Sequence, residues 1–118
     1  MKKDEIKTID AEGRTLGRVA SEVAHFLMGK NKASYERNVF SGMKVNVLNV
    51  SKIKITVKKL EQIYHTRYSG HRGGLRILSG PETKEKKGMK ELLRLAVYRM
   101  LPSNKLKKQM LKNLKIEE

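Results

Sequence analysis

Between Thr15 and Gly29 the apolar side chains Leu16, Val19, Ala20, Val23, Ala24 and Leu27 recur at three- and four-residue steps. That spacing marks one buried face of a helix. Thr15 stands where an N-cap belongs, and Gly29 stands where a helix stops. Ahead of this helix, Ile6 to Ile9 reads as a short strand and Asp10-Ala11-Glu12-Gly13 as a turn. Lys44 to Val50, KVNVLNV, is rich in β-branched residues and reads as a buried strand. After Ser51-Lys52, KITVK sets Ile53, Ile55 and Val57 on one side and Lys54, Thr56 and Lys58 on the other. This period of two predicts a further strand. QIYHTRY predicts another, running into the glycine-broken stretch SGHRGG.

In the last third of the chain the period lengthens. Met89, Leu92, Leu93, Ala96, Val97 and Met100 form the stripe of a second helix, stopped by Pro102. Thr83 to Gly88 reads as an exposed loop or a lead-in to that helix. Ser103 or Asn104 is placed to cap a last helix reaching about Ile116. Its Leu106, Met110, Leu111 and Leu114 fall on one side; Lys105, Lys108, Lys112 and Lys115 fall on the other. Strand, turn and helix, then strands, then helices predict an α/β layer fold. There is no internal repeat and no linker-like stretch, so residues 1–118 read as a single domain.

Charge changes the picture more than composition does. The chain has 118 residues, 38% apolar and 33% charged, which suits a soluble domain with a modest core. Lys plus Arg number 27 against 12 Asp plus Glu, a net charge of +15. The excess is not a tail: residues 1–60 hold 13 basic and 6 acidic side chains, and residues 61–118 hold 14 and 6. Charge spread over a folded body favours a polyanion that contacts several sides of it. Nucleic acid is the first candidate and an anionic membrane surface the second. The stretch MKKDEIKTID has no apolar core, which argues against a secretory signal. No run approaches the 18 or so continuous apolar residues of a membrane span.

The candidate chemistry is thin. Cysteine is absent, so disulfides and thiolate metal sites are excluded. His65 and His71 are six apart and His25 lies beside the apolar face of the first helix, which is not a metal-ligand spacing. Ser69, His65 and His71 lie close in sequence, but no acid occurs between Glu61 and Glu82 to orient a base. Gly13-Arg14-Thr15-Leu16-Gly17-Arg18 sits between strand and helix without the dinucleotide-binding glycine spacing, and Met28-Gly29-Lys30-Asn31 is not a P-loop. A helix start beside Arg14 still suits a phosphate of a larger polymer.

Nucleic acid fits better. Arg37 to Leu60 carries six basic residues and no acid, Gln62 to Pro81 three Arg and no acid, and Ser103 to Ile116 five Lys and no acid. Three such blocks on different elements make a broad electropositive surface. Arg67, Arg72 and Arg76 can fork onto phosphates. Tyr64, Tyr68 and His71 can stack on unpaired bases. For any one of these residues, a core tyrosine or a solvated lysine is the blander account. At +15 that account does not cover the whole surface.

Several blocks, in order, resemble the universal, bacterial-type large-subunit ribosomal protein L-thirteen family. They are IDAEGRTLGRVASEVAHFLMGKNKASYERNVFSG, VNVLNVSKIKITVKK, YHTRYSGHRGGL and AVYRMLPSNKLKKQMLKNLKI, together spanning about Ile9 to Ile116. The resemblance implies a three-layer α/β/α sandwich around a small, mainly parallel four-stranded central sheet. It implies a structural role in the cytoplasmic large ribosomal subunit, with large-subunit rRNA and neighbouring ribosomal proteins as partners and a part in early assembly. Some members also bind messenger RNA and repress translation. It implies no catalytic residue, no cofactor, no metal, no membrane and no small-molecule substrate.

The family's basic loop falls on Gly29, Lys30, Lys32 and Tyr35, its most distinctive loop on Tyr64, Ser69, Gly70, His71, Gly73 and Gly74, and its closing block on Met100, Leu101, Pro102 and Leu106. The expected rRNA contacts are Arg14, Lys30, Lys32, Arg37, Tyr64, Arg67, Gly70, His71, Arg72, Gly73, Gly74, Arg76, Lys105, Lys107 and Lys108. Arg99, Lys107-Lys108 and Ser41-Gly42-Met43 depart from the common family pattern. They mostly keep or add positive charge. The rival readings are an RNA-acting enzyme using His65 or His71, and a basic membrane-surface module.

Overall fold

The computed structural model describes residues 5–118. Strand β1 (Ile6–Asp10) leads through a turn into helix α1 (Leu16–Met28), and β2 (Lys44–Leu48) returns parallel to β1. Helix α2 (Val57–Gln62) precedes an antiparallel hairpin, β3 (Tyr64–Tyr68) and β4 (Leu75–Ser79). Helices α3 (Gly80–Met100) and α4 (Leu106–Lys112) follow, and β5 (Leu114–Ile116) pairs parallel with the other edge of β2. The main sheet therefore has the order β1-β2-β5.

Ile9, Val47 and Ile116 lie in register across the three strands, as do Val45 and Leu114. Ile9, Val45 and Val47 share one apolar cluster with Val19, Val23 and Leu27 of α1, with Leu92, Leu93 and Val97 of α3, and with Met110 of α4. The stripe expected on α1 is the buried face of the helix, with only Leu16 reaching its margin. Gly29 closes the helix in a left-handed conformation, where its N–H donates to the Phe26 carbonyl and that of Lys30 to the His25 carbonyl. Pro102 stands just past the end of α3, as its sequence position requires.

Four expectations need correction. First, among the described residues the central sheet has three strands, not four. Strands β3 and β4 instead close on each other as a hairpin whose outer face, Tyr64, Tyr68, Leu75 and Ile77, is exposed. Second, the helices lie on one side of the sheet, so the arrangement is not a three-layer sandwich. The opposite face bears exposed Thr8, Asp10 and Lys115, and among the described residues no helix covers it.

Third, KITVK is not a strand. Ile53 to Thr56 is extended, with a lone bridge from Lys54 to Thr15, and the chain then turns into α2. Thr56 Oγ1 accepts the Lys59 N–H at 3.3 Å, and this cap followed by Lys-Lys-Leu-Glu-Gln is a helix start. Val57 is 71% exposed, so the expected apolar face ends at Ile55. Fourth, the last helix stops at Lys112 and its N-cap is Lys105, while Ser103 and Asn104 sit in the turn after Pro102. Leu114 lies four residues beyond Met110 and so continues the helical stripe in sequence, but the open edge of β2 captures it as strand.

Helix α3 is two helices in one. Gly88, with φ 77° and ψ −175°, interrupts it. The half after Gly88 carries the buried Leu92, Leu93 and Val97, whereas Lys84 to Lys87 before it are exposed.

Candidate nucleic-acid interface

The distinctive loop is the turn of the β3–β4 hairpin. Gly70 and Gly73 take positive φ, 87° and 73°. The Gly74 N–H donates to the His71 carbonyl at 3.0 Å, and the His71 N–H donates to Ser69 Oγ at 3.4 Å. The His71 ring donates from Nδ1 to the Arg72 carbonyl at 2.9 Å, since a carbonyl can only accept. The loop is thus shaped by its own backbone, and Arg72 and the outer edge of His71 are exposed on it.

The strand register sorts the hairpin side chains into two faces. Arg67 lies directly opposite Arg76, and His65 opposite Leu78, on the face toward α3. Tyr64, Thr66 and Tyr68, with Leu75 and Ile77, form the other face. Tyr64 and the two arginines therefore act on opposite sides. Arg67, Arg76, Gly73 and Gly74 line a cleft of about 580 Å³ against α3, on both sides of its break at Gly88. Lys86 and Lys87 line it too, as do Glu82 and Glu91. Glu82 is held by Lys86 at 2.6 Å, and Glu91 by two hydrogen bonds from Arg94, at 2.6 and 2.9 Å. Those two bonds keep the Glu91 carboxyl below its ordinary value.

His65 is half-buried under the hairpin, its Nδ1 buried without a hydrogen-bond partner. Burial first, and the Arg99 charge second, lower its pKa, opposed by Glu91. Neither His65 nor His71 is hydrogen-bonded to a carboxylate among the described residues. That leaves the acid–base reading without an orienting group. Among the described residues no group of three or more His, Asp or Glu could hold a metal ion, and no helix is long and apolar enough to cross a membrane.

The other expected contacts are dispersed. Lys30 and Arg37 are exposed on the loop after α1, while Lys32 pairs with Glu5 at 3.0 Å. That loop lines a separate groove with Phe40 and Ser41. Arg14 pairs with Glu22 at 2.6 Å, so much of its charge is already answered within the fold. Lys105 and Lys108 are exposed, and Lys107 Nζ lies 3.8 Å from the Tyr98 ring centroid, a cation–π contact beside the hairpin groove.

Residues 4–117 match the family model described as Ribosomal protein L13. The chain belongs to the ribosomal protein L13 family. It is 43% identical over 120 residues to the large ribosomal subunit protein uL13 of Thermosipho africanus, covering 98% of this chain and 80% of the relative. It is 47% identical over 108 residues to the uL13 of Aquifex aeolicus, covering 92% and 74%. The uL13 of Pelobacter propionicus is 46% identical over 92% of this chain and 75% of its own length.

The region matching the L13 family contains every expected contact and also cations that the sequence did not single out as contacts. Arg18, Lys54 and Lys59 line a wide cleft at the starts of α1 and α2, whose lining holds no carboxylate among the described residues. Reading KITVK as a strand hid that convergence. Lys86 and Lys87 were hidden by reading Thr83 to Gly88 as an exposed loop or a lead-in to the helix. The signal was present: Ser79 and Glu82 have capping-box spacing, and Ser79 Oγ accepts the Glu82 N–H at 3.3 Å.

Proposed function

We propose that this chain is a structural, non-catalytic constituent of the cytoplasmic large ribosomal subunit, a single domain over residues 1–118 that binds large-subunit rRNA and takes part in early subunit assembly and translation. The observation that carries this reading is the β3–β4 hairpin. It is a self-braced, glycine-turned projection whose arginines Arg67, Arg72 and Arg76 have no ion-pair partner among the described residues, in a chain of net charge +15. Phosphate contacts from Lys and Arg position a protein on RNA and supply most of its affinity.

In this reading Arg67, Gly70, His71, Arg72, Gly73, Gly74 and Arg76 form the principal contact. Tyr64 offers a ring to an unpaired base from the outer face. Lys30, Lys32 and Arg37 make a second contact, and Lys105, Lys107 and Lys108 a third, with Arg14 contributing least because of Glu22. Neighbouring large-subunit proteins are the further partners. Messenger-RNA binding and repression would draw on the same phosphate contacts and have no observation of their own in support. The names of the relatives, large ribosomal subunit protein uL13, agree with the structural role.

The test is co-sedimentation of tagged protein with large subunits from cell extract, together with binding to large-subunit rRNA across a salt series. The expected log–log slope is about −0.7 to −0.9 per phosphate neutralised. Protein that stays free of subunits and their precursors, or binding indifferent to salt, refutes the reading.

A further inference from the structure

We propose that the cleft between the hairpin and α3 is a clamp for one RNA backbone phosphate, gripped by Arg67 from β3 and Arg76 from β4. This deepens the rRNA-binding reading and rests on it. The argument begins with a conflict in the register. Arg67 and Arg76 are direct cross-strand partners. Like charges in that position destabilise an antiparallel pair. A sequence selected only for hairpin stability would place an acid or a neutral residue at one of the two positions.

Among the described residues no ion pair relieves the conflict. Neither arginine has an ion-pair partner among the described residues, because the two carboxylates of the cleft are engaged elsewhere. Glu82 belongs to Lys86, and Glu91 is forked by Arg94. Glu91 lowers the potential at Arg67 only from a distance, while Lys87 on the same wall raises it. The cleft is open, about 580 Å³, and both arginines line it. A single phosphate seated between two guanidinium forks turns one repulsion into two charge-assisted contacts. The clamp works on the side away from Tyr64, with Tyr68 at its rim, so a strand of RNA held there leaves the Tyr64 ring uncovered.

The conflict gives the test two readouts of opposite sign. Arg76→Glu replaces a like pair with an opposite pair, so the melting temperature of the free protein should rise. The same change should weaken binding to large-subunit rRNA and bring the salt slope about 0.7–0.9 closer to zero, the value of one phosphate. Arg67→Gln with Arg76→Gln should give the same slope change without a new charge. Inorganic phosphate should raise the melting temperature of the wild type more than that of the double glutamine variant.

Wild-type protein that fails to bind rRNA overturns the rRNA reading itself. Wild type that binds, alongside a double variant with unchanged slope, overturns the clamp alone. Stabilisation by inorganic phosphate with an unchanged rRNA slope makes the cleft a small-anion site and overturns the RNA assignment. A lower melting temperature for Arg76→Glu overturns the like-charge argument.

Discussion

Replacing Gly29 with alanine measures how firmly the end of α1 fixes the basic loop that follows it. Gly29 sits at φ 80°, and a Cβ there would lie 2.6 Å from Ser41 Cβ and 3.0 Å from Ser41 Oγ. Ser41 cannot simply swing away. Its hydroxyl donates to the Leu27 carbonyl at 3.3 Å and accepts the Met43 N–H at 3.5 Å, and its Cβ is fixed to the backbone. Two costs therefore add. A left-handed L-residue costs about 1–2 kcal/mol, and forcing a methyl into filled space costs about 1–3 kcal/mol. Fewer conformations in the unfolded chain return about 0.4–1 kcal/mol. The net loss is about 3 kcal/mol.

Gly13 supplies the control. It has φ 69° and nothing within 4 Å of an added Cβ, so Gly13→Ala carries only the backbone cost, about 1 kcal/mol net. In urea, with an m-value of about 1.5 kcal/mol/M, the midpoints should fall by about 2 M and about 0.7 M respectively. Ser41→Gly in the Gly29→Ala background should recover most of the difference, appearing as a coupling of about 2 kcal/mol in a double-mutant cycle. Equal losses for the two glycines, or no coupling with Ser41, would refute the steric argument.

Two further outcomes follow from the fold. Because His65 has a lowered pKa in the folded protein, the unfolded chain takes up its proton first. Its contribution to stability is complete above its ordinary value of 6.5 and declines as pH falls from there toward the folded value. Urea midpoints should drop between pH 7.5 and 5.5, and His65→Phe should flatten that stretch of the profile; an unchanged slope would contradict the burial of the ring. Val57→Lys should change stability by no more than about 0.5 kcal/mol, as for an exposed helix position. A loss of about 2 kcal/mol or more in denaturant melts would instead restore Val57 to a buried strand face.

The elements legible in the sequence were those that carry their own boundaries. The α1 stripe is framed by Thr15 and Gly29, and the second half of α3 is stopped by Pro102. The misread ones are decided by partners far along the chain or by a single cap. Leu114 fits a helical stripe and a strand equally well, and only the free edge of β2 decides between them. The alternation in KITVK is five residues long, too short to prevail over the Thr56 cap. The basic, acid-free character of the hairpin segment was plain from composition. The opposition of Arg67 to Arg76 was not, because register depends on how the six residues Ser69 to Gly74 turn, and composition does not encode that.

The break at Gly88 has a mechanical meaning. Downstream of it α3 is anchored in the apolar cluster and lines the hairpin groove through Arg94, Leu95 and Tyr98; upstream it is a bracket bearing Lys86 and Lys87. One residue is the joint between them. Alignment of the bracket on a rigid surface can therefore be taken up by torsion at that joint, while the anchored segment keeps its packing. A side chain at position 88 would disfavour the positive φ of the joint and tie the pose of the bracket to the axis of the buried helix.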